Sequence, residues 1–112
     1  MAAPLPGSVV RGSTTGRPIM ALMDLLGRRM ALRIIWELSK ADLRFRSLVE
    51  AAETNPAVLN KRLAELREAR IVEIGPEGYR LTALGRELAG QILQLMKWAD
   101  RWSEVVTALK SV

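Results

Sequence analysis

Cysteine and histidine are both missing from this chain of 112 residues. Their absence excludes thiolate and imidazole metal sites, disulfides and thiol redox switches. It also removes the usual general base and the common nucleophile–base pairs. No glycine-rich phosphate loop is present, and the carboxylates are scattered as helix-surface charges. The chain is therefore expected not to be an enzyme and to need no metal or cofactor. No apolar run reaches the roughly 18 residues that a membrane-spanning helix needs, so no membrane partner is expected. The stretch MAAPLPGSVVRGSTTGRP lacks a basic segment followed by an apolar one, so it is not read as a secretory signal. A cytoplasmic protein is the expectation. Residues 1–17, rich in Pro, Gly, Ser and Thr, read as a disordered arm whose only charges are Arg11 and Arg17.

What is present is a globular composition, 49% hydrophobic, in a chain of single-domain size. The net charge of +5 and a pI near 10.4 favour nucleic acid or an acidic surface as partner. The positive charge is concentrated in the middle. Positions 28–46 carry Arg28, Arg29, Arg33, Lys40, Arg44 and Arg46 against Glu37 and Asp42. Positions 55–70 carry Lys61, Arg62, Arg67 and Arg70 against Glu65 and Glu68, whereas 83–112 are nearly balanced.

The hydrophobic period divides the chain. Residues 19–26 read as a short apolar helix ending at Gly27, and 28–40 as a second, with Met30, Ile34 and Leu38 on one face. A short extended piece near Leu43 precedes a third helix over 44–53. Asn55 is placed to cap a fourth, with Pro56 at its first position, where the missing N–H costs nothing. Leu59, Leu63 and Leu66 form its inward stripe. After Arg70 the period becomes two: Val72 and Ile74 share one face, as do Tyr79 and Leu81, around a Gly-Pro-Glu-Gly turn. Thr82 then caps a long final helix.

This order is that of a mainly α protein with a small β-hairpin wing, a winged helix-turn-helix with a long C-terminal dimerisation helix. The core is expected over 18–82 and the dimerisation helix over 83–112. In such a fold the third helix braces the fourth, which can enter a major groove of double-stranded DNA. The segments LGRRMALRII…EL, RFRSLVEAAE, LNKRLAELREARIV and YRLTALGRELAGQILQLMKWADRW resemble the HxlR-type winged-helix regulators, relatives of the MarR group. The resemblance covers about positions 20–102. Arg44–Phe45 and the run from Tyr79 to Gly85 are its more specific parts. It implies a DNA-binding regulator of transcription. Met30 stands where the family usually has Trp, and Arg70 where it usually has Gly to close the recognition helix. The cysteine that some members use to sense electrophiles is missing.

On the outward face of the fourth helix, Ala57, Asn60, Lys61 and Ala64 are the candidate base contacts, because the N-terminal part of a recognition helix meets base edges. Arg28, Arg29, Arg44, Arg46, Arg62, Arg67 and Arg80 are the candidate phosphate contacts. The wing is short and, with Glu73 and Glu77 against Arg80, net acidic. The last helix repeats every seven residues: Leu88, Leu95, Trp102 and Leu109, flanked by Leu84, Trp98 and Val105, and by Ile92, Ala99 and Val106. A domain this small cannot cover so wide a stripe, so a homodimer is expected. Its interface would take in Ile19, Met23, Leu88, Ile92, Leu95, Trp98, Trp102 and Val106. Trp98, Trp102, Met20, Met23 and Met96 read either as packing or as the lining of a site for an apolar small-molecule effector. The reading is a dimeric regulator on a two-fold symmetric operator. Its rival is a winged-helix module that dimerises or bridges proteins without reading DNA, favoured by the acidic wing.

Overall fold

The computed structural model describes residues 3–9 and 16–110. Its elements are α1 (Pro18–Leu26), α2 (Ala31–Lys40), α3 (Phe45–Ala51), α4 (Pro56–Glu68), β1 (Val72–Gly75), β2 (Gly78–Leu81) and α5 (Ala83–Lys110). The two strands pair antiparallel, Val72 opposite Leu81 and Glu73 opposite Arg80. Leu43 adds a short bridge to Tyr79 on the free edge of β2, exchanging both backbone hydrogen bonds with it. Gly78 has φ +124°, and a Cβ there would lie 2.6 Å from the Leu43 carbonyl oxygen. Only glycine lets the hairpin come this close to the segment leading into α3.

The core is the set of residues that the helical and strand periods placed inward. Ile34 and Ile35 of α2, Leu48 of α3, and Leu59 and Leu66 of α4 are fully buried. Val72 and Leu81 close the hairpin over them. Burying an aliphatic side chain of this size contributes about 1.5–3 kcal/mol, so α4 is held by its leucine stripe and leaves its other face outward.

The helix ends explain two oddities of the sequence. Asn55 Oδ1 accepts from the Val58 N–H at 2.9 Å, so it caps α4. At the other end Arg70 takes φ 65°, its N–H donating to Arg67 O and the Ile71 N–H to Leu66 O. That is the left-handed C-terminal closure glycine normally makes, here made by arginine with Ile71 and Leu66 buried beside it. Glu53 closes α3 in the same way at φ 53°. Thr82 Oγ1 accepts from Gly85 N–H at 2.9 Å and starts α5.

Two expectations change. The second helix begins at Ala31 rather than near 28, because Met30 sits at φ 69° and breaks helical continuity from Gly27. The disordered arm expected over 1–17 does not describe residues 3–9. Ala3 and Pro4 are buried there, and the Ala3 N–H donates to Glu68 Oε2 at 3.1 Å. Residues 1, 2 and 10–15 of that arm lie outside the described residues.

Candidate nucleic-acid interface

The exposed side of α4 is set by the leucine stripe opposite it. Ala57, Asn60, Lys61 and Ala64, the four expected base contacts, are all exposed, while Leu59, Leu63 and Leu66 are buried. Asn60 and Lys61 fall within the first two turns after the Asn55 cap, the part of a docked helix that reaches base edges.

The seven expected phosphate partners divide. Arg29, Arg44, Arg46 and Arg67 are exposed. Arg44 is the residue before α3, and Arg29 lies beside α4, because its carbonyl accepts from Arg62 Nε at 2.9 Å. The other three are engaged within the chain. Arg28, its side chain only 10% exposed, is paired with Glu65 and with Asp24. Arg62 donates from Nη1 to Glu65 Oε1 at 2.6 Å. Arg80 Nε donates to Glu73 Oε2 at 2.9 Å across the hairpin. Arg28 in particular lies too deep for a phosphate contact. The sequence offered one signal for its placement: Asp24 stands four residues before Arg28, the spacing of neighbours on a helical face.

The expected dimer residues divide as well. Ile92 is buried in the chain's own core and Leu88 is half-buried against it. Ile19, Met23, Leu95, Trp98 and Trp102 are each more than half exposed, whereas Val106 is half-buried. Trp98 and Trp102 stack, their ring centroids 6.1 Å apart and their planes 6° from parallel.

A largely apolar cavity of about 370 Å³ lies between residues 4–6, α1 and the start of α5, with Ala21, Leu25, Ile71 and Leu88 in its wall. None of the Met and Trp residues expected to line an effector site borders it. Among the described residues, no helix is long and apolar enough to cross a membrane, and no group of acidic side chains is placed to hold a metal ion.

An N-capped helix exposed beside a braced partner helix, followed by a β-hairpin and a long terminal helix, defines a winged helix-turn-helix protein of the class that regulates transcription by binding DNA. Residues 25–107 match the model of the HxlR-like helix-turn-helix family, and the chain belongs to that family. Two similar proteins are uncharacterized helix-turn-helix-type transcriptional regulators. MJ0925 of Methanocaldococcus jannaschii is 26% identical over 90 residues, covering 76% of this chain and 85% of that one. YvaP of Bacillus subtilis is 35% identical over 89 residues, covering 71% and 82%. The crystal structure of quinone-bound YodB from B. subtilis superposes with a TM-score of 0.69 at 31% identity, covering 74% of this chain and 96% of YodB. The protein is thus a DNA-binding transcriptional regulator and not an enzyme.

Proposed function

We propose that the protein acts as a homodimer on a two-fold symmetric operator, with α4 of each subunit in the major groove. The observation that carries this reading is the outward face of α4, where Ala57, Asn60, Lys61 and Ala64 are all exposed behind a capped N-terminus. An Asn amide can pair with adenine, a Lys ammonium with guanine acceptors, and an Ala methyl with the thymine methyl. Arg29, Arg44, Arg46 and Arg67 would hold phosphates and fix the register of the helix on the duplex. The wing contributes little, because Arg80 spends its charge on Glu73.

The dimer would form through the distal part of α5 and the exposed Ile19–Met23 face of α1. Two subunits related by a two-fold axis then present two α4 helices to half-sites about one helical turn apart. YodB binds a quinone, which supports an apolar small-molecule effector for this chain too, held by non-covalent contacts since no cysteine is present. The cavity walled by Ala21, Leu25, Ile71 and Leu88 offers the space.

The test is selection of bound sequences from random DNA, followed by titrations at several salt concentrations. A symmetric consensus should emerge. Asn60→Ala or Lys61→Ala should cost ~1–3 kcal/mol on the best site and flatten the preference at one position. Arg46→Ala should weaken all sequences alike and lower the salt slope by about one. If both groups of variants behave alike, or α4 variants leave binding unchanged, α4 is solvated surface. The module that binds proteins without reading DNA then takes its place.

A further inference from the structure

Beneath the exposed face of α4 lies a cluster of four charged side chains. Glu65 is only 3% exposed, yet its carboxylate is shared by two arginines, Arg28 on one oxygen and Arg62 on the other. Arg28 also pairs with Asp24 of α1, at 3.5 Å. From its other side Arg62 donates through Nε to the Arg29 carbonyl, in the connection between α1 and α2. The side chains of Arg28, Asp24, Glu65 and Arg62 are 10%, 6%, 4% and 15% exposed, so all four charges are withdrawn from solvent.

Such a cluster is a poor way to add stability. The desolvation of the ions consumes most of what their attraction supplies, and apolar residues of similar volume do as well or better. What charge-assisted, forked hydrogen bonds do supply is geometry. Here they run between α4 and the α1–α2 connection, where Met30 holds a left-handed backbone. The burial of Leu59, Leu63 and Leu66 is non-directional, whereas a two-toothed arginine fork fixes donor and acceptor positions.

We propose that Glu65 and Arg62 are positioning residues for DNA recognition, fixing the rotation and height of α4 against the α1–α2 connection so that Asn60 and Lys61 meet base edges together. The proposal rests on the reading of α4 as the recognition helix. It also reassigns Arg62: its positive charge serves the inside of the protein, not a phosphate.

Two variants separate these roles, each measured on the full chain against the selected site and against random DNA. Lysine at position 62 keeps the charge that a phosphate needs. It cannot offer two separated nitrogens to Glu65 and the Arg29 carbonyl. Arg62→Lys is therefore expected to lower affinity for the selected site on the order of tenfold, about the worth of one base contact. Random-sequence affinity and the salt slope should stay as in wild type. Glu65→Gln removes a negative charge, so a purely electrostatic role predicts tighter binding to every sequence. Positioning predicts a lower ratio of specific to random binding. If Glu65→Gln does not fold, as judged by its circular dichroism, Arg62→Lys decides alone. An Arg62→Lys protein with wild-type affinity and preference overturns the proposal, as does a Glu65→Gln protein that binds all DNA more tightly with its preference intact. A wild-type protein without any sequence preference removes the recognition-helix reading and this one with it. A selective wild type with an indifferent Arg62→Lys removes this one alone.

Discussion

The first ten residues of α5 and the eighteen that follow are one continuous helix with one kind of sequence, and they meet opposite surroundings. In the first part Gly85, Ala89 and Ile92 are buried, with Leu88 half-covered beside them. In the second part Leu95, Trp98, Trp102 and Val105 are each more than half exposed, and Leu109 is 71% exposed. The difference is a matter of reach. At 1.5 Å per residue α5 runs about 42 Å, and the core that α2 and the hairpin offer it is used up by Ile92. Beyond that point, among the described residues, the heptad continues past the last buried core side chain of α5. Exposed apolar area on this scale marks an interaction surface, and the dimer proposed above would cover it with the same helix of a second subunit.

The sharpest way to break this contrast is to put charge on the second part. Leu95→Glu or Trp102→Glu should turn dimers into monomers, because an unpaired charge buried in a seam costs several kcal/mol. Analytical ultracentrifugation reads the result, and dimers that persist would show that this face is not the seam. Next in size, Ile92→Ala should cost about 2–5 kcal/mol by emptying a core position, with the loss present at every protein concentration. For Leu95→Ala the loss of thermal stability should instead grow on dilution.

The glycines sharpen the comparison further. A Cβ at Gly85 would lie 2.2 Å from the Ile71 carbonyl oxygen, so α5 can start this close to the end of α4 only with glycine there. Gly85→Ala is expected to destabilise by about 1–3 kcal/mol, seen as a lower urea midpoint. A Cβ at Gly90 meets nothing within 4 Å. Gly90→Ala should therefore stabilise, by up to about 1 kcal/mol from helix propensity alone. A loss at Gly90 would instead place the second subunit of the proposed dimer against it.

Much of this architecture is legible in the sequence. The Asn55–Pro56 start, the Leu59–Leu63–Leu66 stripe and the switch to a period of two after Arg70 are local signals, and local signals decide helix and strand. The outward position of Asn60 and Lys61 follows from the same stripe by geometry. The arginines were harder. Arg28, Arg62 and Arg80 read like Arg29, Arg46 and Arg67, since a long cationic side chain looks the same whether its partner is a phosphate or a carboxylate brought near by folding. Ile92 and Leu95 likewise sit on one heptad pattern and differ only in what the rest of the chain places opposite them.

What the sequence determined by itself is therefore the set of elements, their order and the face each turns inward, because capping and periodicity act over a few residues. Tertiary structure alone decided which cations remain outside, where α5 leaves its own core, and that Ala3 and Pro4 lie on the body with the Ala3 N–H on Glu68. Those outcomes depend on pairs far apart in the chain, such as Arg28 with Glu65 and Gly85 with Ile71. No local pattern encodes the approach of two such residues; only the packing of whole helices brings them together.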